Sequence, residues 1–155
     1  MSLQKLGLRL VSAAAVSVLA LSGAQAAEKW SMATPWSGGP IFEKAAKGVA
    51  NDITLMTGGA VEFEVFPGGT LGKALKVSDT VRKGVAEFGH NWPGYDWGID
   101  RTSVVFGGFA GTMPPEVFTH WLYQGEGADL WMQWRTEKFN IAAFPCSMGP
   151  REVFM

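Results

Sequence analysis

The chain has 155 residues, 13 basic against 14 acidic side chains, 47% hydrophobic residues and one cysteine. That balance excludes a nucleic-acid partner, which would require a basic face, and the lone Cys146 excludes an internal disulfide even in an oxidising compartment. The length suits one ordinary domain with a real core.

Lys5 and Arg9 precede an uncharged run from Leu10 to Leu21, and Ala24-Gln25-Ala26 has the small-x-small form that signal peptidase cuts. Residues 1–26 therefore read as a signal peptide. The run is shorter than the roughly twenty residues a spanning helix needs, so cleavage is favoured over a retained anchor. Loss of Lys5 and Arg9 leaves 11 basic against 14 acidic residues. No later segment is long and apolar enough to span a bilayer, which places the mature protein in solution outside the cytoplasm, in the periplasm.

Lys29 to Ala33 alternates as a strand does, and Thr34-Pro35 closes it. Ser37-Gly38-Gly39-Pro40 opens a helix, with proline at the first helical position and Glu43 at the positive end of the dipole. Ile41, Ala45, Val49 and Ile53 define its buried stripe, widened by Phe42, Ala46 and Met56, and Gly58 stops it. Val61 to Val65 alternates strictly, predicting a strand with one buried face, and Pro67-Gly68-Gly69 breaks it. A second helix is predicted over 73–83, with Leu75, Val77 and Val81 inward and Gly84 as its stop. A third strand ends at Gly89. This βαβαβ order demands a mainly parallel sheet with right-handed crossovers.

The stretch from Gly89 to Trp97 holds most of the candidate binding chemistry. Ligands of open α/β sheets lie beyond the carboxyl ends of the strands. Trp92, Tyr95 and Trp97 offer rigid apolar faces with one donor each, and His90 and Asn91 offer directional hydrogen bonds. Each aromatic there serves either a ligand or the anchoring of an irregular loop.

Residues 102–112 are apolar and glycine-rich and read as a short strand or irregular connection. Pro114-Pro115-Glu116 starts a helix with Val117, Phe118, Trp121 and Leu122 on one face, ending at Gly125-Glu126-Gly127. A further helix runs from Ala128 to Phe139 with Leu130, Trp131 and Trp134 inward. Trp121, Trp131 and Trp134 lie at helical spacing and read as core. Ile141 to Cys146 reads as a last strand with a buried thiol. The apolar finish Val153-Phe154-Met155 reads as the cut end of a longer chain.

Enzyme signatures are lacking: there is no GxSxG elbow, P-loop, GxGxxG or histidine pair at metal spacing. Gly68 to Lys73 lacks P-loop spacing, Glu62 and Glu64 share the polar face of a strand, and His120 reads as a surface or half-buried histidine. No catalysis and no cofactor are expected. A secreted carbohydrate-binding module or enzyme is the alternative from another class, although the paired carboxylates of a glycosidase cannot be placed.

Lys29 to Trp36, Phe66 to Gly72, Gly84 to His90, and Trp121-Leu122-Tyr123 followed by Gly125, Gly127 and Leu130-Trp131 form an ordered series. Together they resemble the solute-binding proteins of tripartite ATP-independent periplasmic (TRAP) transporters, nearest the branch that carries keto acids and related carboxylates. The resemblance spans essentially the whole mature chain. It implies a periplasmic-binding-protein-like α/β lobe, a mainly parallel sheet flanked by helices. Residues 27–147 would form the first of two lobes, and 148–155 would begin the crossover to a second lobe that is largely cut off.

The resemblance also implies capture of a small organic anion and its delivery to the membrane subunits of an ion-gradient-driven permease, with a binding protein of an ATP-driven transporter as the alternative in the same class. Trp36 and Tyr95 match first-lobe ligand positions. Arg151, in Met148-Gly149-Pro150-Arg151-Glu152, occupies the place of an arginine that pairs with the ligand carboxylate; a surface ion pair with Glu152 is its other reading. The family allows a metal ion bound with the ligand, whose protein ligands would lie past Met155, and a homodimer of the full-length protein. Two departures leave the ligand class open: Gly94-Tyr95 stands where the keto-acid branch often has adjacent tyrosines, and Gly149-Pro150-Arg151 replaces its glycine-tryptophan step.

Overall fold

The computed structural model describes residues 26–108 and 111–146. Positions 1–25 of the expected signal peptide, and 147–155 with Arg151 and the expected crossover, lie outside the described residues.

Strand β1 (Glu28–Ala33) lies between β2 (Val61–Phe66) and β3 (Phe88–Gly89), and both pairings are parallel. Trp30 pairs with Phe63, and Met32 with both Val65 and Phe88, so these residues share one face. On that face Met32, Ala46 and Ala50 are buried, with Phe63, Val65 and Phe88 packed around them. The opposite face buries Ala33 with Val77 and Ala86 at the carboxyl end, while Glu62 and Glu64 stay exposed. The parallel βαβαβ order and the alternation of β2 match the sequence expectation.

The first helix opens as a π turn (Ile41–Ala46) and continues as α1 (Lys47–Met56). This wider turn shifts the expected stripe. Phe42, Ala46 and Ala50 are buried, Ala45, Val49 and Ile53 are half-buried, and Ile41 and Met56 are exposed. Gly58 and Gly59, both at positive φ, end the helix, and the Gly59 N–H returns to the Thr54 carbonyl. The second helix is a 3₁₀ turn (Ala74–Lys76) running into α2 (Val77–Arg82). Leu75 has non-helical backbone angles there and turns outward, contrary to expectation, whereas Val77 is buried.

Only Phe88 and Gly89 pair in the third strand. The Glu87 carboxylate accepts the Ser31 N–H at 2.8 Å, so a side chain replaces the next ladder bond. That bond holds the Glu87 carboxyl below the usual carboxylate range.

The other half is helical: α3 (Ser103–Gly107), α4 (Pro115–Gln124) and α5 (Gly127–Phe139). Helix α3 corrects the expected strand or irregular connection. Asp100 accepts the Thr102 N–H at 2.8 Å as the helix starts, and Phe106 is carried into the aromatic core. Phe106 stacks on Trp121, Trp131 and Trp134 at centroid distances of 6.1, 5.7 and 5.1 Å, and Trp134 meets Phe139 edge-on. The tryptophans expected inward are core, but Val117 and Leu130 are exposed.

Residues 141–146 form no strand, which corrects another expectation. Two of their backbone groups pair with side chains instead of a strand: Ala143 N–H meets Met132 Sδ at 3.2 Å, and the Pro145 carbonyl accepts from the Tyr123 hydroxyl at 3.2 Å. Cys146 is exposed rather than buried. Among the described residues no helix is long and apolar enough to cross a membrane.

The loop after β2 touches the loop after β1. Gly68 N–H donates to the Trp36 carbonyl at 2.9 Å, and a Cβ at Gly68 would lie 2.3 Å from the Pro35 carbonyl oxygen. Gly68→Ala should therefore force the two loops apart and lower stability by about 1–3 kcal/mol. Gly38→Ala, where a Cβ meets nothing within 4 Å, should change it by about 0.5 kcal/mol or less. Urea denaturation of the two variants checks this; equal midpoints would show that the loops yield freely.

Candidate functional site

The carboxyl ends of the three strands bring together Thr34–Trp36, Phe66–Gly69 and His90–Trp97. Thr34 Oγ lies 2.9 Å from the Phe66 carbonyl and 3.1 Å from that of Trp36, tying the first two loops together. The His90 N–H continues the sheet pattern by donating to Ala33 at 3.0 Å. The His90 ring is buried and lies 4.8 Å from that of Trp36, tilted by 56°. Two residues expected at the site, from loops more than fifty positions apart in sequence, are therefore in contact. Burial pushes the His90 imidazole pKa down from 6.5, toward the neutral form.

Trp92 and Tyr95 meet edge to face at 5.0 Å. The Trp92 indole N–H donates to the Gly107 carbonyl at 2.7 Å, and its ring fills the space that a Cβ at Gly94 would need. Trp92 thus anchors the loop to α3 while remaining 39% exposed, so one ring can hold the loop and still present a face. Trp97 is 61% exposed at the end of the 3₁₀ turn Pro93–Asp96.

Asn91 is turned the other way. Its amide Nδ2 donates to Ser78 Oγ at 3.4 Å, Ser78 Oγ donates to Asp96 Oδ2 at 2.6 Å, and Arg135 Nη1 donates to both, at 3.2 and 2.6 Å. Asp96 is fully buried and Arg135 is 4% exposed. The guanidinium carbon sits 4.6 Å from the ring centroids of Trp134 and Phe139.

Sequence reasoning missed this cluster, although a signal existed. Arg135 stands four residues after Trp131 and four before Phe139, so a charge interrupts an inward-facing stripe and demands a buried partner. Asp96 lies inside the aromatic loop and is that partner.

A cavity of about 10 Å³, room for one water, sits at the ends of β1 and β2, lined by Thr34, Phe66, Lys73 and Thr80 among others. A shallow cleft of about 180 Å³ over Lys29, Ser31, Glu62 and Glu64 lies on the polar sheet face, away from the strand ends. Neither reaches the roughly 300 Å³ or more of a small-molecule pocket. The strand ends present an open aromatic rim. Among the described residues no three His, Cys, Asp or Glu side chains group as metal ligands.

No family model matches the chain. In sequence it is 32% identical over 122 residues to a monocarboxylate 2-oxoacid-binding periplasmic protein of Nostoc sp., an alignment covering 76% of this chain and 32% of that protein. In structure it resembles a TRAP transporter solute-binding protein from Bordetella bronchiseptica, a mixed-occupancy dimer with calcium and picolinate in one active site, with a TM-score of 0.69 and 22% identity over 75% of this chain and 34% of the other. It also resembles a TRAP periplasmic solute-binding protein from Pseudoalteromonas atlantica with bound sodium and pyruvate, with a TM-score of 0.67 and 25% identity over 72% and 34% of the two chains. These likenesses bear out the resemblance read from the sequence: the chain carries the fold of TRAP solute-binding proteins and spans about a third of the length of the relatives it matches.

His90 yields a prediction here. Because burial lowers its folded-state pKa, the unfolded chain takes up a proton as pH falls through about 6.5 while the folded protein does not. The stability His90 permits is present above pH 6.5 and lost below it. Urea midpoints measured from pH 7.5 to 5 should fall less steeply for His90→Asn than for wild type. Identical slopes would show that His90 charges freely in the folded state.

Proposed function

We propose that the chain is the first α/β lobe of an exported, periplasmic solute-binding protein that captures a small organic anion, a carboxylate or 2-oxo acid, and delivers it to an ion-gradient-driven TRAP permease. One observation carries the reading: in a fold shared with TRAP solute-binding proteins, two aromatic contacts, Trp36 with His90 and Trp92 with Tyr95, lie on the loops that follow the parallel strands, which supports a solute site at the strand ends. The sequence relative, named for 2-oxoacid binding, supports the ligand class.

Trp36, His90, Asn91, Trp92 and Tyr95 form the proposed first-lobe half of the solute site. The rings give apolar enclosure and His90 a polar group, while Asn91, turned toward Ser78, supports the site from behind by holding the loop. Arg151 is the proposed carboxylate partner, its planar fork suited to two parallel hydrogen bonds. A solute touching both lobes stabilises the closed form through contacts the open form lacks, and closure displays the surface the permease reads. The protein performs no chemistry on its cargo. Among the described residues the cavity at the strand ends, about 10 Å³, has room for one water only, which supports the two-lobe reading over a self-contained module.

The test is titration of the complete protein and its Arg151→Lys and Arg151→Ala variants with pyruvate and with the uncharged amide of the same acid. Wild type should bind the acid and reject the amide. Loss of one partner of a desolvated charge-assisted pair costs on the order of 2–5 kcal/mol, a roughly thirtyfold to several-thousandfold weaker affinity. Folded variants that bind pyruvate like wild type would remove Arg151 from the site.

A further inference from the structure

We propose that the buried Asp96–Arg135 pair is the positioning device of the crevice: it fixes the loop that carries Trp92 and Tyr95 in its solute-receiving geometry, an inference that rests on the solute-binding reading above. The network holds that loop at both ends. Asn91, at its start, donates to Ser78, and Asp96, at its finish, takes hydrogen bonds from Ser78 and Arg135. Trp92 and Tyr95 lie between these two fixed points, and Trp92 gains a third tie at Gly107.

Stability alone is a poor account of the pair. A buried ion pair roughly breaks even against well-packed apolar residues, because desolvation consumes most of the attraction. This one is also incompletely satisfied: Asp96 Oδ1 is buried with no hydrogen-bond partner among the described residues. What the pair supplies is direction. The guanidinium packs against both the Trp134 and Phe139 rings, and Ser78 Oγ, accepting from Asn91 and Arg135 and donating to Asp96, has one arrangement that satisfies all three. An apolar substitute would fill the volume without fixing the rotation of the 3₁₀ turn that carries Tyr95.

The experiment compares the complete wild-type protein with the double variant Asp96→Leu/Arg135→Met and the single variant Arg135→Lys. Three readouts are taken: thermal midpoint, pyruvate affinity by calorimetry, and the near-UV circular dichroism of the Trp92–Tyr95 couple, assigned by its loss in Trp92→Phe. The double variant should keep a midpoint near wild type, lose the couple's near-UV signal and bind pyruvate about tenfold or more weakly, because preorganisation is gone. Arg135→Lys, which keeps the charge without the planar fork, should fall between the two and serves alone if the double variant does not fold. A folded variant with wild-type affinity and an unchanged near-UV signal overturns the proposal. If wild type itself fails to bind pyruvate and other small 2-oxo acids, the solute reading fails, and the near-UV comparison still decides whether the pair orders the loop.

Discussion

The hydrogen bonds that Arg135 Nη1 donates to Asp96 and Ser78 join the two halves of the molecule. One half is a three-stranded parallel sheet with α1 and α2, whose core residues are small or aliphatic near the strand ends. The other is a helical body around the stacked rings of Phe106, Trp121, Trp131 and Trp134. Ser78 belongs to the first, Arg135 to the second, and Asp96 to the loop between them. Among the described residues the Trp92–Gly107 bond and the Phe88–Phe144 ring contact at 5.7 Å also cross this boundary, and the cluster is its buried polar tie.

A buried charge placed there is tolerable because of its surroundings. Arg135 is shielded by two aromatic faces, which recover part of its hydration through the ring quadrupoles, and the carboxylate lies at hydrogen-bond distance. Apolar burial supplies the cohesion: Phe139 and Met32 are almost wholly removed from water, each contributing about 1.5–3 kcal/mol. The polar cluster then selects one relative orientation of the surfaces so held. Glu87 does comparable work at the sheet edge, where its carboxylate takes up the Ser31 N–H that the short β3 leaves unpaired.

The fold was legible wherever period and punctuation agreed. Alternation in Val61 to Phe66, the glycines after α1 and α2, and the proline before the π turn were sufficient for the βαβαβ order. Reading failed where a local rule was overridden by a neighbour. The wider π turn moved the buried stripe of the first helix to Phe42, Ala46 and Ala50. Glycines around α3 hid a helix that Asp100 starts and Phe106 pins. Ile141 to Cys146 has strand-like composition, but the Ala143 N–H and the Pro145 carbonyl turn to the side chains of Met132 and Tyr123. At the site, the Gly89–Trp97 loop was legible as a strand end and Trp36 came from the family resemblance, while the contacts of Trp36 with His90 and of Trp92 with Tyr95 appear only in the structure. The Asp96–Arg135 pair was not legible, because partners 39 positions apart leave no local pattern beyond one charge on an apolar stripe.

The electrostatics of the proposed site point to a division of labour between lobes. Trp36, Asn91, Trp92 and Tyr95 carry no positive charge, and burial drives His90 toward its neutral form. Arg135, the cation nearest this loop among the hydrogen-bonded groups, is spent on Asp96 and shielded by two rings. This surface therefore offers an organic anion shape, apolar contact and directional hydrogen bonds without a counter-charge. A carboxylate settling on it alone would give up part of its hydration for little Coulombic return. A cation beside these side chains would supply the missing charge, the role proposed for Arg151, and its attraction for an anion would grow as closure excluded water from between them. In that scheme the aromatic rim rejects solutes of the wrong shape before closure, and the arginine rewards only those that carry the charge.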